Sequence, residues 1–180
     1  MKQGIREVKE IYRGRIIDLN VEKVKLPNAL EVDLEVIRHP GGAAVVPLLA
    51  DNSVVLIRQH RHCAGGVIWE IPAGRLEEGE DPSVCALREL AEEVGYRASH
   101  LRKLTEVYSA PGFCTEKIYI FLATDLVPCE MNLEEDELIE VVKLPIERAM
   151  EMVRSGEIDD AKTVVGILLA YGVVSEEAAL

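Results

Sequence analysis

Basic residues are in short supply in this chain: 20 Lys and Arg stand against 32 Asp and Glu, a formal charge of −12 over 180 residues. That balance argues against nucleic acid as a standing partner, because such proteins carry a basic footprint. Aromatics are sparse at 4%, with Trp69 the single tryptophan. Cys63, Cys85, Cys114 and Cys129 are scattered without a C-x-x-C pair. They read as thiols of a reducing cytosol, not as a disulfide framework or zinc site. The four histidines add no metal-ligand spacing. No apolar run approaches ~18 residues, so no membrane span is expected. The opening MKQGIREVKE lacks an apolar stretch, so no signal peptide is read and a cytoplasmic location is expected.

What is present suits a globular protein of one domain, or one domain with a small appendage. Hydrophobic residues make up 48% and charged residues 29%, and a chain of this length can bury roughly two-thirds of its unfolded surface. Residues from about 5 to 38 alternate apolar and polar, with a turn at Pro27-Asn28, as a small antiparallel set of strands does. Ala43 to Leu49 is a nearly continuous apolar run and reads as a buried strand. Asp51-Asn52 is read as a turn, with Val54 to Gln59 as the hairpin partner of that strand. Asp81 suits a helix N-cap, Pro82 the first helical position and Gly95 the left-handed stop. Val84, Leu87, Leu90, Ala91 and Val94 form the expected apolar stripe. Further strands are expected at 104–108, 117–123 and 138–144, and helices at 145–154 and 161–171. This order argues for an α/β or α+β sandwich with a mixed sheet.

The polar side of the helix at 82–94 breaks local rules. Glu89, Glu92 and Glu93 share one flank. Like charges at these spacings cost ~0.2–0.5 kcal/mol per pair on an exposed helix, and they crowd the end where the helix dipole prefers cations. A divalent cation among the three carboxylates removes both penalties. A solvated acidic face is the bland alternative.

The neighbouring residues decide between them. Gly74, Glu80, Arg88, Glu89, Leu90, Glu92, Glu93, Gly95 and Tyr96 fill all nine specified positions of G-x5-E-x7-R-E-U-x-E-E-x-G-U, with U bulky and apolar and Tyr96 a slightly unusual choice. The segment therefore resembles the Nudix box. Composition alone produces such a match on the order of once in a million sequences. The resemblance implies an α/β Nudix fold, an α/β/α sandwich with mixed sheet, preceded by a small N-terminal antiparallel β lobe. It implies Mg²⁺, with Mn²⁺ as the alternative, held by Glu89, Glu93, Glu92 and the Ala73 carbonyl. Oxygen donors suit such hard cations. Glu80 and Arg88 are implied to brace the loop, and Gly74 and Gly95 to supply backbone conformations that side chains resist.

Residues beyond the box bear on the substrate. Pro111 lies 16 positions after Gly95 and is followed by Gly112 and Phe113, which resembles the ADP-ribose pyrophosphatase branch. Gln59-His60-Arg61, the approach Trp69 to Gly74 and the acidic run 133–137 fit the same branch. The similarity implies hydrolysis of ADP-ribose to AMP and ribose 5-phosphate. Arg58 and Arg61 are candidates for the substrate phosphates, since a guanidinium forks onto two oxygens; as ordinary strand-edge charges they carry no message. Glu70, Pro111, Gly112 and Phe113 are further substrate-binding candidates, and Glu116 a neighbour of the substrate. Trp69 reads as core, and Tyr12 fits the family's adenine-stacking position. The resemblance matches the catalytic base to Glu135, with Glu137 close behind, Glu134 left open and Glu92 assisting. It further implies an organisation of residues 1–38 as a dimerisation lobe contributing to the adenine pocket, with 39–180 as the hydrolase domain, hence a homodimer. Rival readings are another nucleoside diphosphate sugar such as GDP-mannose, a dinucleotide, or a non-catalytic Nudix ligand-sensing module. An isomerase on this fold is less well matched.

Overall fold

The computed structural model describes residues 4–133 and 137–177. They form two compact units, Met1–Gly41 with Tyr108–Lys117, and Gly42–Val107 with Ile118–Leu180.

The first unit is an antiparallel sheet of β1 (Gly4–Arg13), β2 (Asp18–Lys25) and β3 (Glu31–Arg38), in that order. The turn between β2 and β3 follows from Pro27-Asn28-Ala29. The Asn28 side chain accepts the Leu30 N–H at 3.1 Å, and Ala29 takes φ 66°. Beyond β3, Ile37 donates to the Phe113 carbonyl at 2.7 Å and accepts from Thr115 N at 2.9 Å. Those bonds are why residues 108–117 group with the N-terminal strands. Inside this unit Glu22 is buried and held by Arg38, whose Nε lies 2.9 Å away. Glu22, Val24 and Arg38 line one wall of a cavity of about 520 Å³, and Pro111 to Thr115 line the other. Every residue of β1 is exposed.

The second unit carries two sheets, β10-β5-β6 and β7-β4-β9-β8. Their strands are β4 (Gly42–Pro47), β5 (Ser53–Arg61), β6 (Gly66–Glu70), β7 (Ala73–Arg75), β8 (Tyr96–Tyr108), β9 (Lys117–Pro128) and β10 (Ile139–Pro145). The helices are α1 (Pro82–Val94), α2 (Ile146–Ser155) and α3 (Ala161–Glu177). β4 runs parallel to β9 and antiparallel to β7, so the larger sheet is mixed.

Alternation along the strands sorts the core into two layers. Ala43, Val45, Val55, Ile57, Phe121 and Ala123 pack with Cys85, Ala86, Leu90 and Val94 of α1. Ala44, Val46, Val54, Leu56, Ile120 and Leu122 pack with Ala149 and Met152 of α2 and Ile167 and Ala170 of α3. Helices thus cover both faces, giving the expected α/β/α arrangement.

Two local expectations are corrected. β4 and β5 do not pair as a hairpin: the pairing around the turn is confined to the bridge Leu48↔Val54, just past the end of β4, and the Leu49 N–H to Ser53 carbonyl bond at 2.8 Å. All of β4 is buried, and both its edges are taken by β7 and β9. β5 pairs instead with β10 and β6. The apolar stripe of α1 is also displaced. Val84 is 55% and Leu87 38% exposed, whereas Cys85, Ala86, Glu89, Leu90, Glu93 and Val94 are buried. The helix is rolled so that two of its acids, not two of its aliphatics, face inward.

Candidate active site

α1 begins and ends where its chemistry demands. Asp81 accepts from Ser83 N at 2.8 Å, Pro82 occupies the first turn, and Gly95 at φ 69° returns its N–H to the Ala91 and Leu90 carbonyls. These caps set where α1 begins and ends; the helix packs against β4 and β7 with Glu89 and Glu93 on its buried flank.

Glu93 is 2% exposed, and its Oε2 accepts from the Ala73 N–H at 2.9 Å. Burial, then the charge of Glu89, pushes the Glu93 carboxyl up to about 8; the Ala73 bond and Arg61 partly offset this, while Glu137 adds to it. Glu89 is raised as well, chiefly by burial and opposed by Arg88, with Glu92 and Glu137 adding repulsion. Two neighbouring carboxyls out of water are pushed toward their neutral forms unless positive charge stands beside them.

Arg88 supplies part of that charge. Its Nε and Nη2 reach the two oxygens of Glu80 at 3.1 and 3.2 Å, and Nη1 reaches Glu89 at 2.5 Å and Glu92 at 3.1 Å. Nη2 also donates to the Arg75 carbonyl at 3.3 Å. One guanidinium therefore ties the loop before α1 to the acids on it. The Arg88 bond holds the Glu80 carboxyl below its ordinary range. Cys85 lies beneath this pair, and burial pushes its thiol up to about 12, which leaves it unreactive.

Gly74 earns its place by space. It is absent from the positive-φ residues, unlike Gly95, so its expected conformational role is corrected. A Cβ on Gly74 would stand 1.8 Å from Glu89 Oε1 and 2.1 Å from Glu89 Cδ.

These residues suit a hard divalent cation. The donors are carboxylate oxygens, two are buried with raised pKa values, and Gly74 clears room at Glu89. As the side chains stand, no three acidic, His or Cys groups converge at ligating distance among the described residues. Arg88 lies against Glu89 and Glu92, and Glu93 leans on Ala73.

The remaining candidates divide by place. Arg61 Nε donates to Glu70 Oε2 at 2.8 Å. Arg58 shares a strand face with Val54 and Leu56, on the α2/α3 side. It pairs with Glu140 at 2.9 Å and stacks 5.4 Å over Trp69, which packs against the α2/α3 core as expected. Glu70 is 3% exposed, with both oxygens occupied. Glu137 is near enough for its charge to act on Glu89 and Glu93. Glu134 and Glu135 lie outside the described residues. Tyr12, Pro111, Gly112 and Phe113 belong to the first unit, together with Glu116, whose carboxylate lies 3.5 Å from His39 Nδ1. Sequence reasoning missed Lys162, which lies 2.5 Å from Glu70 Oε1. Their separation of 92 positions in the sequence leaves no local pattern to read.

The sequence profile of the NUDIX domain matches residues 38–164. An ADP-ribose pyrophosphatase of Bacillus subtilis (strain 168) is 43% identical over 160 residues, covering 88% of this chain and 86% of the relative. A GDP-mannose pyrophosphatase of Salmonella typhimurium is 42% identical over 154 residues, covering 76% and 79%. Among solved structures, a protein described as an ADP compounds hydrolase superposes with a TM-score of 0.85 at 24% identity, over 100% of this chain and 98% of that one. The chain belongs to the Nudix family, and the α/β/α arrangement described above is the Nudix fold.

Proposed function

We propose that this protein hydrolyses the diphosphate of ADP-ribose to AMP and ribose 5-phosphate, with Mg²⁺ as its working cation. The observation that carries the reading is the buried pair Glu89 and Glu93, their carboxyls raised by burial, beside a Gly74 whose missing Cβ makes room for Glu89. The ADP-ribose pyrophosphatase relative at 43% identity supports the substrate. Glu89, Glu93, Glu92 and the Ala73 carbonyl would hold the metal. Divalent cations bound there would neutralise the diphosphate and lower the pKa of an attacking water.

The protein's own groups do the rest. Arg61 offers terminal nitrogens to the phosphate oxygens, while Glu70 orients it from behind. Arg58, committed to Glu140 and Trp69, adds positive potential at a distance. Arg88 and Glu80 keep the loop before α1 fixed to the helix. A carboxylate of the acidic run accepts the water's proton. Glu137 is the described candidate, and the motif match to Glu135 stands beside it. In the N-terminal unit, Tyr12 and the Pro111-Gly112-Phe113 turn are assigned to the adenosine side of the substrate.

The same reading makes the protein a cytoplasmic homodimer. Ile5, Val8, Ile11 and Tyr12 of β1 are each about half exposed along an open sheet edge, which is costly unless covered. The four cysteines are free, in keeping with a reducing compartment. No described helix is long and apolar enough to cross a membrane. Light scattering on the purified chain tests the dimer, and a monomer at micromolar concentration would remove it.

Product analysis on ADP-ribose in ¹⁸O-labelled water tests the chemistry and shows which phosphorus is attacked. AMP and ribose 5-phosphate are expected, and chelation should abolish the reaction. Equal or better turnover of GDP-mannose, which the Salmonella relative's name makes the nearest rival, would overturn the substrate. Tight ADP-ribose binding without turnover would favour a sensing module instead. Glu93→Gln should lower kcat by ~100-fold or more, and an unchanged rate would overturn the metal site.

A further inference from the structure

We infer that Lys162 is a positioning residue for Arg61, acting through Glu70 to leave the arginine's fork open for phosphate. The inference rests on the reading above that Arg61 grips the diphosphate. Glu70 is 3% exposed and carries one cation on each oxygen: Lys162 Nζ on Oε1 at 2.5 Å and Arg61 Nε on Oε2 at 2.8 Å. Lys162 is itself fixed at the start of α3. Its Nζ lies 3.0 Å from Asp160 Oδ2, and the same oxygen accepts from Thr163 Oγ1 at 2.6 Å and Thr163 N at 3.0 Å. Thr163 Oγ1 in turn accepts from Ile71 N at 2.9 Å, which ties α3 to the residue after Glu70.

The division of Glu70 between two cations decides how Arg61 can be used. A buried carboxylate left with a single arginine would take it in the two-pronged manner, through Nε and a terminal nitrogen together. A guanidinium spent that way has little left for a substrate. With Lys162 on Oε1, Glu70 offers Arg61 only Oε2. Arg61 is then anchored by Nε alone, and its terminal nitrogens make no hydrogen bond among the described residues. The Arg61 side chain remains 42% exposed, while those of Glu70 and Lys162 are 3% and 11% exposed. The exposed end of this chain of charges is the one that can meet a diphosphate. The charges also balance, two cations against Glu70 and Asp160, so the cluster needs no further ion to be stable.

The test compares Lys162→Met, Lys162→Arg, Arg61→Gln and the double variant Lys162→Met/Arg61→Gln in the full chain with Mg²⁺. It reads KM and kcat on ADP-ribose and, separately, the calorimetric affinity for inorganic pyrophosphate. Lys162→Met should raise KM and weaken pyrophosphate binding by ~10-fold while kcat moves by less than ~3-fold. Lys162→Arg should recover most of that loss. In the Arg61→Gln background the Lys162→Met change should cost less than ~2-fold, because the residue it positions is gone. Lys162→Leu, which likewise removes both the donor and the charge, replaces Lys162→Met if that variant melts below the assay temperature, with the same expected KM. A Lys162→Met enzyme within ~2-fold of wild type, a Lys162→Arg variant no better than Lys162→Met, or additive losses in the double variant would each overturn the inference. If wild type leaves ADP-ribose intact, the substrate reading fails and the pyrophosphate titration still decides the role of Lys162.

Discussion

At Gly74 the site depends on a side chain that is missing. Any Cβ there would fall inside the Glu89 carboxylate, so Gly74→Ala forces Glu89 to rotate or the loop to move. Overpacking of this kind costs ~1–3 kcal/mol, whereas displacing a reacting constellation by about an ångström costs ~100-fold in rate. The expected variant is thus folded, melts a few degrees lower, and loses two orders of magnitude in kcat at saturating Mg²⁺. Full activity would mean that Glu89 is not needed where it stands. Glu80 presents the complementary case. Its carboxylate is held by two nitrogens of Arg88, so Glu80→Gln should leave Arg88 less firmly placed and raise the Mg²⁺ concentration for half-maximal activity. An unchanged metal dependence would reduce the Arg88–Glu80 pair to a surface contact.

At the scale of the element, α1 carries its instructions in its own ends. Asp81→Ala removes the acceptor for Ser83 N and should cost ~1 kcal/mol in denaturant unfolding. Gly95→Ala should cost more, because φ 69° strains any other residue and the new Cβ would meet Met131 Cγ at 2.8 Å and the Cys129 carbonyl at 3.0 Å. If Gly95→Ala proves neutral, the left-handed cap is not what stops the helix. These caps were legible because they are local: Asp81, Pro82 and Gly95 act on backbone groups within a turn. The strands at 42–47 and 53–61 were legible as strands for the same reason, but their partners were not. β4 looks from the sequence as if it needs β5, yet its edges go to β7 and β9, the latter a parallel neighbour more than seventy residues away. Pairing is a property of the whole sheet, and adjacency in the chain is weak evidence for it. The rotation of α1 was misread through the same gap. Val84 and Leu87 look like core by hydropathy, but Glu89 and Glu93 take the inward flank, and only the motif hinted that burying acids had a purpose. Lys162 had no hint at all, since its partner Glu70 lies on another element far away in sequence.

For the molecule as a whole, an acidic chain that handles a diphosphate is a contradiction that bound cations resolve. The charge of −12 repels an anionic diphosphate, and on the proposed reading an ion held at Glu89 and Glu93 would reverse the field at the site. Stability should record the same relation. In the metal-free fold the Glu93 carboxyl sits near 8, against 4.5 for an unperturbed glutamate. Between those values the folded chain keeps a proton that the unfolded chain releases, so metal-free stability is fully present below about 4.5 and declines as pH rises toward 8. The slope from this one group is at most about 1.4 kcal/mol per pH unit. Binding Mg²⁺ requires the ionised carboxylate and removes the reason for holding the proton. The melting temperature of the chelated protein should therefore fall between pH 6 and pH 8, and the increment given by saturating Mg²⁺ should be larger at pH 8 than at pH 6. Glu93→Gln carries no titrating group at that position, so it should flatten the pH dependence of the chelated protein and shrink the Mg²⁺ increment at pH 8. A wild-type increment that is the same at both pH values would separate the buried acids from the metal and leave the acidity of the chain unexplained by catalysis.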